Sequence, residues 1–404
     1  MRILFITSDY SKPENGSNIY TDLAEALNLH NHAIKVVVAE EKKKTPKTKL
    51  NVENGIPVLR VKTGNLYEVS LVEKAITFLT ISRALKKGIN DFFGNENFDL
   101  ILFQSPPLTM YKVVKWAMKK YNAPSYLMMK DIFPQNGVDI GLYSKHSPIY
   151  WYFRRKEKEL YKISTKIGCM SNANIDYIYN HNKFLKKEKF EVFPNTVKIG
   201  KINEMDYDTY KNIRNKYGIK ENDVVAIFGG NFGRPQGLDF LLQVIDEYKN
   251  NDKVKFLLIG RGTEKNRIFN TIKENQYKNV WTYDFIPRDD YENLTKVCDI
   301  GLIFLDSRFT IPNYPSKTLS YFECSLPIMA AIDKNTDYSK MLEDAECGFW
   351  VVNGDIKNFK NKFDKLIGNK KLRREMGKNG RKYYEKNCNV DLSVKKLEKF
   401  IGEK

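Results

Sequence analysis

The sequence predicts an α/β protein with two doubly wound parallel sheets, one in each half of the chain. Short, almost continuous apolar runs alternate with amphipathic stretches, a pattern typical of parallel strands buried on both faces by helices. This alternation occurs over residues 2–170 and again over residues 224–331. A chain of 404 residues is also too long for one hydrophobic core, so two domains are expected.

The strands of the first half start with the apolar run RILFIT, which is followed by Gly16 and a helical pattern. The predicted strands of this half are 2–7, 33–39, 56–61, 99–103, 124–129 and 166–170. Those of the second half are 224–228, 254–259, 279–282, 299–304 and 327–331. Residues 40–50 are expected to form a charged loop.

A domain boundary is predicted near Lys198, where a polar stretch that runs to residue 223 interrupts the alternation. The N-terminal domain is therefore expected to span residues 1–198, and the C-terminal domain residues 199–385. Residues 386–404 complete a basic helical tail, and its pattern leaves open whether this tail crosses back to the first domain.

The charge and the cysteines suggest the partners and the compartment. The chain has 67 Lys and Arg against 49 Asp and Glu, a formal net charge of +18, and the first half is the more basic. This charge suits nucleic acid, nucleotide phosphates or an acidic membrane face, but it is also compatible with a solvated surface that has no partner. Five dispersed cysteines without a C-x-x-C pair indicate a reduced, cytoplasmic protein. The short apolar start at residues 1–8 predicts no export.

Membrane contact, if present, is expected to be peripheral, because no run of 18 apolar residues occurs. Residues 71–89 have an apolar helical face, and residues 150–156 read YWYFRRK. Aromatic rings beside cations are typical of helices that lie on anionic lipid. A helix that buries its rings in the core is the alternative.

Two loops are candidate phosphate sites, since ligands of doubly wound sheets bind beyond the carboxyl ends of the strands. Residues 229–237 (GGNFGRPQG) follow a strand and offer backbone amides together with Asn231 and the guanidinium of Arg234. In the second loop, Ser316, Lys317 and Thr318 precede a helix. Structural glycine turns and a plain helix start are the alternatives.

Two further positions are candidates in the first half. Gly16 lies where backbone must approach a ligand, although a simple turn would also need it. Asp131 follows the strand 124–129, where its carboxylate could bind sugar hydroxyls or assist proton transfer, or only cap the next turn. The four histidines lack metal-ligand spacing, so no metal site is expected. The nicotinamide-binding fingerprint G-x-G-x-x-G is also missing.

The order of several short motifs resembles the retaining glycosyltransferases of group 1 (family four), which have the GT-B fold of two Rossmann-like domains facing across a cleft. The motifs are PENGS, FPNTV, GGNFGRPQGLDFLL, FLLIGRG, FIPRDDYENL, CDIGLIFL and PSKTLSYFECSLPIMAA. The combination of KDIFPQ, GRPQGL and PSK is most similar to the fucosamine-type transferases of O-antigen and capsule assembly.

The resemblance implies roles for residues at matching positions. Gly16 would approach the sugar and phosphate of the donor, Arg234 would bind the diphosphate, and Ile286 would contact the nucleobase through its backbone. Asp131 falls where many members have a histidine near the transferred sugar, and Gln236 where they often have a second cation. The positions implied for donor binding are Gly16, Asn231, Arg234, Arg261, Ile286, Ser316, Lys317, Thr318 and Ser320.

One departure from the family concerns the paired-glutamate motif E-x7-E that contacts the ribose. Alignment on Pro327 puts Pro312 and Ser320 at the two glutamate positions, while Glu323 lies three residues away. The ribose contacts are therefore not assigned by the resemblance.

The resemblance implies a metal-independent hexosyltransferase that takes a sugar from a UDP-sugar on the C-terminal domain. The acceptor, a polyprenyl-diphosphate-linked saccharide, would bind the N-terminal domain at the inner membrane face, with Asp131, Arg234 and Lys317 as catalytic residues. A nucleotide-sugar 2-epimerase of the same fold is the alternative, although the few histidines argue against it. Binding of nucleic acid is not expected, because the cations are spread over many helices.

Overall fold

The computed structural model describes residues 1–66, 69–200 and 205–403. The chain divides into two compact units: Met1–Lys198 together with Asn389–Lys404 form unit 1, and Ile199–Cys388 form unit 2. Each unit contains one largely parallel sheet with helices, which confirms the predicted α/β class with two Rossmann-like domains. The predicted connector over 198–223 includes residues 201–204, which lie outside the described residues.

Unit 1 contains an eight-stranded sheet of order β3-β4-β2-β1-β5-β6-β7-β8, in which only the β3–β4 pair is antiparallel. Its strands are β1 Arg2–Thr7, β2 Ala33–Glu41, β3 Lys49–Glu53, β4 Ile56–Thr63, β5 Leu100–Ser105, β6 Ser125–Met129, β7 Lys166–Cys169 and β8 Phe190–Val192. Its first six helices are α1 Ile19–Leu29, α2 Leu71–Phe93, α3 Tyr111–Tyr121, α4 Gln135–Asp139, α5 Pro148–Ile163 and α6 Asn172–His181. The central strands β1 and β5 are buried almost throughout, as their unbroken apolar sequences require.

Unit 2 contains a six-stranded, fully parallel sheet of order β11-β10-β9-β12-β13-β14. Its strands are β9 Val224–Asn231, β10 Val254–Arg261, β11 Val280–Tyr283, β12 Ile300–Phe304, β13 Ile328–Ile332 and β14 Gly348–Val352. Its helices are α7 Tyr207–Lys216, α8 Leu238–Glu247, α9 Lys265–Glu274, α10 Arg288–Lys296, α11 Lys317–Glu323, α12 Tyr338–Asp344, α13 Ile356–Gly368 and α14 Lys370–Asn387. A cluster of buried aromatic and aliphatic side chains, which includes Phe228, Phe256, Phe304 and Phe359, fills the core between this sheet and its helices.

The last helix, α15 (Val390–Gly402), belongs to unit 1 and packs against α1. Its buried residues Val394, Leu397 and Phe400 join the core of unit 1, and the Phe400 ring lies 5.5 Å from the ring of Tyr126. The C-terminal segment therefore completes the core of the first sheet.

The edge strand β3 and the end of β2 occupy part of the predicted charged loop 40–50. The guanidinium of Arg60, which is only 4% exposed, forms ion pairs with Glu40 at 3.1 Å and with Glu53 at 2.7 Å. Paired charges can be buried in strands, and a hydrophobicity pattern does not show such pairing. The prediction of a loop over this segment was therefore wrong at both of its ends.

Candidate functional site

The topological switch point of unit 2 lies between β9 and β12. β10 and β11 extend the sheet on one side of this pair, while β13 and β14 extend it on the other. Helix connections leave in opposite directions at such a point, and a crevice forms outside the carboxyl ends of the two strands. Residues 229–231 end β9, and Lys317 begins α11, the helix that follows β12. Both predicted phosphate loops of this unit therefore lie at the switch point.

Glycines let the backbone of β9 pass close to its neighbours at this edge. Gly230 has φ +117°, and a Cβ atom there would lie 2.9 Å from Cε of Lys317. Gly260, at the end of β10, has φ +151°, and its Cβ would lie 1.8 Å from the carbonyl oxygen of Gly230. Side chains at these positions would clash with the strand or displace the lysine.

The ammonium of Lys317 is the most perturbed cation of this crevice. Its Nζ donates a hydrogen bond to Oε1 of Gln236 at 3.0 Å and lies 3.6 Å from the centroid of the Phe228 ring. Burial lowers the pKa of Lys317 to about 7, and no carboxylate of the described residues offsets this effect through an ion pair. An anion bound here would supply the missing negative charge.

Arg234 is exposed and begins a short 3-10 turn, Arg234–Gln236, just ahead of α8. Its Nε lies 3.8 Å from Oε1 of Glu264, which is too long for a hydrogen bond. The guanidinium is thus held weakly, and its donors remain available to a ligand. Gly237 closes the turn with φ +55°, where a Cβ atom would lie 2.5 Å from Nδ2 of Asn353.

Among the other predicted residues of unit 2, Asn231 and Arg261 lie at the ends of the paired strands β9 and β10 and are exposed. The Arg261 guanidinium stacks over the ring of Phe285 at 4.9 Å. Ile286 is 8% exposed and lies in the loop that follows β11.

Around the start of α11, the structure separates Ser316 from Thr318. Ser316 is exposed and its side chain does not cap the helix, whereas the Thr318 hydroxyl is buried 2.8 Å from the hydroxyl of Tyr338. Ser320 is half-buried one turn further on. Because α11 spans only seven residues, we assign no anion binding to its N-terminus. Lys317 contributes through the amino group of its side chain.

In unit 1, the predicted residues Gly16 and Asp131 both follow strands at the carboxyl edge of the sheet. Gly16 has φ +74° and precedes α1, whose first turn is capped by the Asn18 side chain. Asp131 is exposed beyond β6; desolvation by the surrounding protein raises the pKa of its carboxyl group, and the charge of Lys130 opposes this shift.

Lys130 is not among the site residues predicted from the sequence. Its ammonium lies 3.7 Å from Sδ of Met170 and 5.8 Å from the centroid of the Phe193 ring. Burial lowers the pKa of Lys130 to about 7. The sequence signal was present in the motif KDIFPQ, but the burial of a lysine at a strand end cannot be read from its neighbours.

The contacts of Gln236 and Phe228 with Lys317 were likewise not predicted from the sequence. The only available signal was that Gln236 occupies a position where similar proteins often have a cation.

In unit 1, the ring of Phe78 on α2 lies 5.5 Å from the ring of Phe153 on α5. Val72, Ile76 and Leu79 form an exposed apolar row on α2, with exposed fractions of 56–70%. We call this row of α2 the apolar surface of unit 1. In the described part of the chain, no helix combines the length and apolar character needed to cross a membrane.

The segment 150–156 fits neither interpretation alone: some of its aromatic rings are exposed, as on a lipid-binding helix, and others are buried in the core. Trp151 and Tyr152 are exposed, whereas Tyr150 and Phe153 are buried. The Arg154 side chain turns back to Glu157 and to the end of α6, so it stabilises the fold.

Metal independence stays a prediction. Among the described residues, no three His, Cys, Asp or Glu side chains are grouped to hold a metal ion.

Comparisons with known proteins agree with this arrangement. Residues 209–383, less than half of the chain, match the family model described as "Glycosyl transferases group 1". Two curated relatives are "Probable glycosyltransferase WbjE" of Pseudomonas aeruginosa, 24% identical over 62% of this chain, and "Uncharacterized glycosyltransferase MJ1069" of Methanocaldococcus jannaschii, 23% identical over 64%. The matched parts span only 59% and 63% of those two proteins.

Solved structures show the same fold over the whole chain. Anabaena HepE in complex with UDP-glucose has a TM-score of 0.72 at 16% identity, covering all of both chains. WaaG, a glycosyltransferase involved in lipopolysaccharide biosynthesis, has a TM-score of 0.67 at 15% identity, covering 97% of this chain and 98% of WaaG. The fold class is therefore GT-B. The family model that matches unit 2 and the two curated relatives are all described as glycosyltransferases.

Proposed function

We propose that this protein is a retaining glycosyltransferase that moves a sugar from a UDP-sugar to a lipid-linked saccharide during the synthesis of a bacterial surface polysaccharide. The observation that carries the proposal is the uncompensated ammonium of Lys317 at the switch point of unit 2. Unit 2 is also the part of the chain that matches the group 1 family. An N-acetyl-fucosamine-type sugar is the first donor to test.

The diphosphate of the donor would lie against the glycine backbone at residues 229–231, between Arg234 and Lys317. The electrostatic attraction between these two cations and the diphosphate would strengthen as negative charge builds up on this leaving group. Preorganised donors of this kind stabilise a transition state more than a ground state, and each contributes about 3–4 kcal/mol in known cases. Asn231, Arg261, Ile286, Ser316, Thr318 and Ser320 complete the proposed donor-binding residues of this unit.

The reaction would break the bond between the anomeric carbon and the β-phosphate oxygen, and would form a bond from that carbon to the acceptor oxygen. Attack on the same face retains the anomeric configuration, and the departing phosphate oxygen takes the proton of the acceptor hydroxyl. Gly16 and Asp131, in unit 1, would assist on the side of the transferred sugar. UDP is the second product, and no metal ion is assigned to any step.

The acceptor would be a saccharide on polyprenyl diphosphate, presented at the inner face of the cell membrane. The apolar surface of unit 1 supports this assignment, because exposed apolar side chains on a chain with a net charge of +18 suit an anionic lipid surface. HepE in complex with UDP-glucose supports the choice of UDP as the carrier, and WaaG supports a polysaccharide product.

The first experiment is a thermal-shift screen of UDP-, GDP- and dTDP-sugars, because a ligand that binds only the folded protein raises its melting temperature. The best donor is then incubated with a membrane extract that contains lipid-linked saccharides. The expected result is release of UDP only when both substrates are present. A donor that is epimerised without an acceptor would instead identify the 2-epimerase alternative.

A further inference from the structure

A second cavity lies in unit 2 at the amino ends of the strands, on the side of the sheet opposite to the crevice with Lys317. It has a volume of about 400 Å³, within the usual range of small-ligand pockets. Its lining includes Cys298 and Asp299 just before β12, and Ser325 and Pro327 just before β13. These are the amino ends of the strands, whereas Lys317 follows the carboxyl end of β12. A five-residue strand is about 16 Å long, so the two sites are well separated.

Two buried arginines share one carboxylate in the wall of this cavity. Arg214 and Arg373 lie 3.5 Å and 3.2 Å from the carboxylate oxygens of Asp299, and both guanidinium groups are almost completely buried. The remaining contacts of the two arginines are mainly backbone carbonyls, among them those of Val297 and Leu366, which carry no net charge. The buried group of Arg214, Arg373 and Asp299 therefore has one positive charge in excess.

One donor of this group has no partner. Nε of Arg214 is buried and has no hydrogen-bond acceptor among the described residues, although the side chain is only 3% exposed. A buried donor without an acceptor destabilises the folded state, and a charged donor does so more strongly.

The rim of the cavity is also positive. Lys211, Lys296, Lys370 and Arg374 line it and are exposed, and the described residues form no ion pair with any of these four side chains. Glu221 is the one acidic side chain in the lining besides Asp299. Six cations thus face two carboxylates within one cavity. Such a charge ratio attracts small anions and raises their local concentration.

The wall also offers flat, partly apolar contacts. Tyr210 stacks against the Arg214 guanidinium at 5.4 Å, and Tyr207 is 61% exposed beside it. Ile219 and Leu326 add aliphatic surface. A ligand with both a phosphate group and a ring would use each part of this lining.

We propose that this cavity, formed where Arg214 and Arg373 meet at Asp299, is a second anion site that binds a soluble phosphorylated small molecule, such as a sugar phosphate. The site is separate from the donor crevice and does not depend on the proposed glycosyl transfer. Guanidinium groups suit it because they grip phosphate oxygens with paired hydrogen bonds.

The test is isothermal titration calorimetry on the full chain with glucose 6-phosphate, and with glucose as the uncharged probe of matched shape. The background variant Lys317→Met weakens the donor crevice, so that the remaining binding reports the second cavity. Lys211→Glu with Arg374→Glu reverses two exposed rim charges, and thermal unfolding checks that the fold is kept. Lys378→Glu, an exposed position on α14 outside the lining, is the matched control.

Saturable binding of glucose 6-phosphate, but not of glucose, is expected in the Lys317→Met background. The rim reversal should weaken this binding at least tenfold, whereas Lys378→Glu should change it less than twofold. Equal effects of the rim and control variants, or no saturable binding in that background, would overturn the proposal. Binding to phosphatidic acid vesicles that the rim reversal abolishes, without binding of the soluble probe, would also overturn it, because the ligand would then be a lipid headgroup.

Discussion

The ammonium of Lys317 lies 3.0 Å from the side-chain oxygen of Gln236, although the two residues are 81 positions apart in the chain. In the group 1 glycosyltransferases that this sequence resembles, the position of Gln236 often holds a cation. The amino group of a lysine does lie at this point of the crevice, but it comes from the start of α11 rather than from the turn before α8.

Replacing this ammonium should weaken donor binding. We expect Lys317→Met to weaken binding of UDP about 10- to 100-fold, since hydrogen bonds to charged groups contribute about 1.5–3 kcal/mol. Isothermal titration calorimetry measures the dissociation constant. Lys378→Met, at an exposed position on α14, is the control and should leave it unchanged.

The pair also predicts a rescue. Gln236→Lys alone puts two ammonium groups together and should weaken the fold or the binding, whereas Gln236→Lys in the Lys317→Met background should restore much of the affinity. If the double variant binds UDP no better than Lys317→Met, the charge is needed on α11 itself.

The affinity for UDP should depend on pH through Lys317. Its pKa of about 7 means that half of the molecules carry a neutral amine at that pH, and a bound diphosphate raises the pKa by favouring the ammonium. Binding therefore takes up a proton, and the dissociation constant should rise by up to about tenfold per pH unit above pH 7. Titrations in two buffers with different ionisation enthalpies measure the proton uptake, which should disappear in Lys317→Met.

Arg234→Ala should reduce turnover far more than stability. The Arg234 side chain is 55% exposed and only weakly tied to Glu264, so its loss should change the free energy of unfolding by about 0.5 kcal/mol or less. Loss of a donor that acts on the leaving group should lower kcat about 100- to 1000-fold. Initial rates measure kcat, and chemical denaturation measures the free energy of unfolding. Glu264→Gln, which changes the weak partner, should alter the rate less than threefold; unchanged kcat in Arg234→Ala would show that this guanidinium does not contact the diphosphate.

The apolar surface of unit 1 should control membrane association. Ile76→Glu with Leu79→Glu should lower cosedimentation with vesicles of phosphatidylglycerol and phosphatidylcholine several-fold, because both side chains are more than half exposed. The control is Leu29→Glu on α1, where a leucine that is 70% exposed lies outside this surface. Equal loss in both proteins, or equal binding to pure phosphatidylcholine, would argue against a specific anionic membrane face.

Gly260→Ala should destabilise unit 2 by about 2 kcal/mol or more, because the added Cβ would meet the Gly230 carbonyl at 1.8 Å and the backbone has φ +151°. Gly368→Ala, with no atom within 4 Å of the added Cβ, is the matched control and should be neutral or slightly stabilising. Urea unfolding compares the two. Equal stability would mean that the ends of β9 and β10 can separate without cost.

The sequence predicted most of the buried strands because burial on both faces leaves an unbroken apolar run. It did not predict the edge strands β3, β8 and β14. β3 has a polar sequence and β8 only three residues, whereas β14 is apolar but only partly buried. Arg60, buried between Glu40 and Glu53, shows why the pattern failed at one of these edges.

For the candidate site, the sequence indicated which loops end at the switch point of unit 2. It could not show that the Lys317 side chain crosses the Phe228 ring to reach Gln236, or that the Thr318 hydroxyl is already bound to Tyr338. Both facts depend on how α11 is rotated against the sheet, and that rotation is set by tertiary packing.

The return of α15 to unit 1 has a consequence for biosynthesis. The ribosome makes the rest of unit 1 first and unit 2 next, and only then the helix whose Val394, Leu397 and Phe400 fill the first core. A nascent chain released at residue 388 would leave an apolar groove beside α1 open to water and to chaperones. Completion of the core of the first sheet is thereby delayed until the whole of unit 2 has been synthesised.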